Sequence, residues 1–279
     1  MSTSLSAGFA LRHARQIQAM LDEVNSEPPA RIAAAGAAEP LAPLARALAG
    51  DTEGAITVLD WGERDFSLDA YMALVVVIDS WPVDRSNVGL LRAAERAGVP
   101  IVAVLVGIGQ AARRDEVPYV LATDVIVTDV AADAAVRVVE RIAARAKGDA
   151  YRVARALPHF AEPVSKAIIR HYSRLNGLVG AAAIIPGADL PVLTINQLRM
   201  VTRLAGAQGI ELDAKRLAEF AVVVGASLGL RGVARTALGL LPGPGRAIKG
   251  GVALSGTTAI GEAALRRFRA ESGAVDAGC

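Results

Sequence analysis

Two short motifs in this chain have the spacing of loops that carry chemistry. Gly225-Ala226-Ser227-Leu228-Gly229 has the pattern of a nucleophile elbow, which presents a serine on a sharp strand-to-helix turn. That arrangement needs a histidine later in the chain to take the serine proton, and His13, His159 and His171 all precede it. A triad in that order is excluded, and small residues in an apolar helix are the better reading. Gly107-x-Gly109-x-x-Ala112 satisfies a loose dinucleotide fingerprint, with Asp129 at about the distance of a ribose-binding acid. Asp115, Glu116 and Pro118 interrupt the helix that should follow, so we read a turn.

Other reactive groups are sparse. The three histidines have no ligand-like spacing, and Cys279 is the only cysteine, so neither a disulfide framework nor a cysteine metal site is expected within one chain. Asp60, Asp65, Asp69 and Asp79 stand near predicted strand ends, where loop solubility and helix capping explain them as well as catalysis does. No cofactor and no metal is expected.

The elements that would position these residues change character near residue 150. Residues 5–24 form an amphipathic pattern with Ile17, Met20, Leu21 and Val24 on one face, broken by Pro28 and Pro29. Strands are then predicted at Arg31–Ala35, Ala55–Leu59, Ala73–Ile78, Ile101–Val106 and Asp124–Thr128. Several are unbroken β-branched runs, as in strands buried on both faces of a parallel sheet. Helices are predicted at Leu41–Ala49, Asn87–Ala97 and Ala131–Ala146. Gly98 and Pro100 close the second of these and open the next strand.

From Tyr151 the chain reads as all-helical. Pro158 and Pro163 open a helix to about Arg174, and an apolar stretch follows to Leu193. Thr194 and Gln197 have the spacing of a capping box for a helix with Leu198, Val201 and Leu204 on one face. Gly209 stops that helix and Asp213 caps the next. A last helix follows the turn Leu241-Pro242-Gly243-Pro244-Gly245 and runs to about Arg269. In it Ala247, Gly251, Ser255, Ala259 and Ala263 recur every four residues, a small-residue ridge of the kind that lets helices approach closely. The expected fold class is an α/β domain with a mostly parallel sheet, followed by an all-α domain. The expected boundaries are 1–29 for the N-terminal helix and linker, 30–148 for the α/β domain, 151–270 for the helical domain and 271–279 for a tail.

Composition narrows the function. Hydrophobic residues make up 53%, mean hydropathy is +0.38 and aromatics are only 4%. The aromatic content is too low for a base-stacking platform, so no nucleic-acid partner is expected. The net charge of +2 divides into −6 over residues 1–150 and +8 over residues 151–279. A basic and apolar half points to a membrane surface or an acidic partner. No secretory signal is visible at the N-terminus, so the protein is expected on the cytoplasmic side of the membrane.

Element order in residues 30–147 resembles a small GTPase-like domain. Arg31-Ile-Ala-Ala-Ala-Gly36, a loop and the helix from Leu44 stand where such a domain has its first strand, phosphate loop and first helix. The phosphate-loop chemistry is eroded: counted from Gly36, Leu41, Ala42 and Pro43 occupy the places of Gly, Lys and Ser. Leucine resists positive φ, alanine carries no charge and proline has no N–H to donate. Asp60-Trp61-Gly62 is one residue short of the switch motif, and Gly107-Ile108-Gly109-Gln110 replaces the base-reading motif. The resemblance therefore implies a domain without turnover.

The C-terminal half resembles a bacterial GTPase-associated helical domain of unknown function, over about residues 165–268. The resemblance rests on Pro186, Asp189, Leu190, Pro191, Leu193, Thr194, Gln197 and Met200, then Gly229 and Arg231, then Pro242, Gly243 and Gly245. It implies membrane association and no activity of its own, with a GTPase or another protein as a further partner.

Spanning is not expected. Leu175–Leu198 gains about 3 to 6 kcal/mol from its apolar residues, but a central Asp189 costs about 3 and two prolines take more. Over Leu217–Leu241, Arg231 and Arg235 cost roughly 5 to 7 kcal/mol and cancel the apolar gain. The expected function is a non-catalytic scaffold or regulator bound peripherally to the inner membrane face. The alternatives are an atypical nucleotide- or cofactor-binding enzyme using the loops after Ile78 and Val106, and a soluble protein-interaction module.

Overall fold

The computed structural model describes residues 15–60, 67–109, 113–182, 190–213, 215–217 and 245–276. The chain divides into two compact units. One is Pro29–Ala167; the other joins the N-terminal residues to Pro28 with Ile168–Cys279. The α/β unit thus runs past residue 148, its expected end.

Five parallel strands form its sheet: β1 (Ile32–Gly36), β2 (Ile56–Val58), β3 (Ala73–Ile78), β4 (Ile101–Val106) and β5 (Val125–Thr128), in the order β2-β1-β3-β4-β5. The predicted strands agree to within a residue or so. Every residue of β3 is fully buried, which is why the sequence ALVVVI shows no alternation. The helices of this unit are α2 (Ala38–Ala49), α3 (Arg85–Arg96), α4 (Ala135–Ala146) and α5 (Tyr151–Ala156), and α1 (residues 15–26) precedes them in the other unit. Leu74, Val76 and Ile78 of β3 face Leu90, Leu91 and Ala94 of α3 in one core. α2 and α4 pack together and bury Leu44, Leu48, Val138, Val139 and Ile142.

Local signals set the ends of α3. Asp84 caps it, its Oδ1 accepting the Asn87 N–H at 2.8 Å and its Oδ2 the Asn87 side-chain amide at 2.6 Å. Gly98, at φ +68, lets the chain reverse into β4. Asp84→Ala should cost about 1 kcal/mol, read as a lower urea midpoint with unchanged slope.

The helical unit contains α1, the part of α6 (Ala161–Ala182) from Ile168, α7 (Leu190–Ala207) and α8 (Gly245–Asp276). α6 runs on to Ala182 rather than stopping near Arg174. α7 starts at Leu190, so Thr194 and Gln197 lie inside the helix and form no capping box. Gly209, at φ +70, ends α7 as expected, and the Asp213 carboxylate accepts the Arg216 N–H at 2.7 Å.

α6 and α7 are antiparallel, while α8 lies parallel to α7. A Cβ on Gly261 would meet Ile169 and Met200, and nearer the other end Asn176 bonds both Thr257 and Asn196. Gly250 and Gly177 touch closest to that end, where a Cβ on Gly250 would stand 2.9 Å from the Gly177 carbonyl oxygen. The small-residue ridge is corrected by this packing. Gly251, Ser255, Ala259 and Ala263 lie on the exposed face of α8. Gly250, Ala253, Thr257, Gly261, Ala264 and Phe268 make the buried one.

α1 buries Met20, Leu21 and Val24 in this unit. Arg203 holds it through Nη2 to Glu23 Oε1 at 2.6 Å, and the same guanidinium donates to the Tyr172 hydroxyl.

Candidate functional site

In an open parallel sheet, ligands bind outside the carboxyl ends of the strands where successive connections leave to opposite faces. The order β2-β1-β3-β4-β5 places that point between β1 and β3. The backbone there is closed. Gly36 pairs with Val77 at φ +119, and a Cβ on it would lie 2.0 Å from the Val77 carbonyl oxygen. The next N–H, on Ala37, is spent on that same oxygen at 2.9 Å.

α2 begins at Ala38, so β1 and α2 are joined by one residue. The sequence-based loop is therefore corrected: Leu41, Ala42 and Pro43 are helical, with Leu41 buried. Of the first-turn residues, Ala38 and Glu39 have N–H groups, Pro40 has none, and Ala37 supplies no side-chain cap. The first turn already carries an acid, Glu39, whose charge answers the positive end of the helix and opposes a second anion there.

The other predicted residues scatter. Asp60 follows β2 and Asp79 follows β3, with β1 between them. Asp69 lies in the short turn Leu68–Ala70 that precedes β3, at the opposite sheet edge. Asp65, Trp61 and Gly62 lie outside the described residues. Gly107 and Gly109 take positive φ, +69 and +60, in the turn after β4. Among the described residues no α-helix follows before β5, so that turn lacks the helix terminus a pyrophosphate would need. Asp129 follows β5.

His159 is structural: its Nε2 stands 3.4 Å from the Ala47 carbonyl oxygen and its ring lies against Phe160. His171 is on α6, while His13 lies outside the described residues. Among the described residues no group of three His, Cys, Asp or Glu side chains is placed to hold a metal ion. An open depression of about 550 Å³ between α1 and the segment after α7 is lined by groups of both signs, Glu211, Asp213 and Arg216, and Asp213 is already a helix cap.

The residues that suggested the helical family divide similarly. Pro186, Asp189, Gly229, Arg231, Pro242, Gly243 and the elbow around Ser227 lie outside the described residues. Leu190 and Gly245 open α7 and α8, Pro191 is exposed, and Thr194 is half-buried. Leu193, Gln197 and Met200 are buried. Gln197 joins a cluster that spacing did not foretell. The Asn176 amide donates to Thr257 Oγ1 at 2.9 Å, and the Asn196 amide donates to Asn176 Oδ1 at 2.8 Å. The Gln197 amide reaches the Thr257 hydroxyl at 3.4 Å, and that hydroxyl also bonds the Ala253 carbonyl. The sequence signal was available as polar residues interrupting three otherwise apolar helix faces.

No protein-family model, no curated protein and no solved structure matches this chain.

Proposed function

We propose that the protein is a non-catalytic scaffold or regulator, a degenerate GTPase-like α/β unit coupled to a helical unit that associates with the inner face of a membrane. The one-residue turn at the β1–β3 switch point carries the first half of this reading. It leaves no loop to wrap a phosphate and no lysine beside it, and it puts an acid, Glu39, in the first turn of α2. The second half is supported by the net charge of the helical unit, 15 Lys and Arg against 10 Asp and Glu over residues 1–28 and 168–279, together with its apolar content. No helix among the described residues is long and apolar enough to cross a membrane. A GTPase or another protein is a further partner in this reading, through the helical unit.

The competing enzyme reading would use the loops after β3 and β4, which share the sheet edge where ligands bind. Thermal denaturation of the full chain with millimolar nucleotides or dinucleotides and magnesium separates the two. A ligand at about 100 times its Kd adds about 2.7 kcal/mol, or roughly 5 to 10 °C for a protein of this size. The scaffold reading expects Tm to stay where it was. A shift of that size with any of these ligands would replace it with a nucleotide-binding function.

A further inference from the structure

We infer that the α/β unit pairs with a second copy of the chain around a two-fold axis, through the face formed by Arg92, Glu95, Tyr119 and Leu121. The inference is independent of the membrane reading above, since it concerns the other unit.

The face starts from an alternation in the connection between β4 and β5. Val117 is buried and Val120 packs on the core shared by β3 and α3, but Tyr119 (43% exposed) and Leu121 (60%) stay outside it. Tyr119 takes a φ of +63, a conformation L-residues avoid, and its ring lies against α3. There the guanidinium carbon of Arg92 stands 5.6 Å from the ring centroid, and Arg92 Nε donates to the Tyr119 hydroxyl at 2.9 Å. A long side chain is thereby fixed before any partner arrives, so little rotamer freedom is left to lose on binding. No ion pair joins Arg92 to an acid among the described residues. Arginine and tyrosine are enriched among the residues that carry binding energy at protein interfaces, and Leu121 adds apolar area two residues on.

Charge selects the partner. Glu95 is exposed three residues after Arg92, a neighbour on the surface of α3, and no ion pair joins it to a cation among the described residues. A purely acidic partner would be drawn to Arg92 and repelled by Glu95. A second α3, antiparallel across a two-fold axis, answers both, because Arg92 of each copy then meets Glu95 of the other. Arg96, also exposed, makes Glu95 more necessary: without it, arginines alone would face arginines. Tyr119 and Leu121 of the two copies cover one another beside these pairs.

The test is sedimentation equilibrium of the full chain under reducing conditions, over about a hundredfold range of concentration. Circular dichroism checks the fold of each variant. The wild type should show a monomer–dimer equilibrium. Arg92→Glu and Glu95→Arg, both at exposed sites, should each weaken it about tenfold or more. The two together should return it to within about threefold of the wild type, because the exchanged charges again meet their opposites. Leu121→Asp should weaken it as the single charge changes do. Arg85→Glu makes the same charge change on the first turn of α3, about 10 Å away, and should leave it unaltered. A chain that stays monomeric throughout would overturn the proposal. Dimers insensitive to Leu121→Asp and Arg92→Glu would put the interface elsewhere and overturn it as well. Single losses that the charge exchange fails to recover would overturn the two-fold pairing of Arg92 with Glu95.

Discussion

Replacing Gly36 by alanine should unfold the α/β unit. The new methyl would stand 2.0 Å from the Val77 carbonyl oxygen, inside the central strand pair, at a φ of +119 that L-residues avoid. The backbone strain alone is worth about 1 to 3 kcal/mol, and the clash cannot relax without breaking the β1–β3 ladder or the Ala37–Val77 bond. A loss above about 4 kcal/mol is expected, against a typical total of 5 to 15. Gly54→Ala is the control, because Gly54 also has positive φ (+73) but nothing within 4 Å. It should cost only about 1 kcal/mol. Urea unfolding of the two variants separates packing from dihedral strain, and equal midpoints would contradict the geometry at the switch point.

The second large effect is expected at Asn176. Its side chain is fully buried; it donates to Thr257 and accepts from Asn196. Asn176→Leu conserves volume but takes away the acceptor of a buried amide and a donor to a buried hydroxyl. At about 1 to 3 kcal/mol for each group left unsatisfied, a loss near 3 kcal/mol is expected. Adding Asn196→Leu should recover part of it, since an apolar pair costs less than one orphaned amide. A double mutant whose loss equals the sum of the two singles would show that the two amides do not act on each other.

Most of the α/β unit was legible. Long β-branched runs such as ALVVVI and IVAVLV have no helical period, and Gly98 with Pro100 punctuates the chain between them. The start of α2 was misplaced because a phosphate-loop spacing was laid over residues that form a helix. Ala38-Glu39-Pro40 carried the contrary signal, an acid and a proline in a first helical turn. Pro191 held the same information for α7, where the Thr194–Gln197 spacing suggested a later start.

The ridge on α8 shows a different failure. In a helix this rich in Ala and Gly, small residues recur every four positions on more than one face. Ile260, Leu265 and Phe268 decide which face turns inward, and giving weight to the large residues would have placed it. The Asn176 cluster was not legible in the same way. A polar residue inside an apolar stripe gives no sign of its partner, which here stands 81 residues away on α8.

The central claim is that the chain works at a membrane surface through its helical unit, and fractionation of the tagged full-length protein tests it most directly. The account predicts recovery with the membrane pellet at low salt, partial release by high salt, and release by alkaline carbonate. Recovery wholly in the soluble fraction at low salt would contradict it, and would put the protein-interaction module in its place.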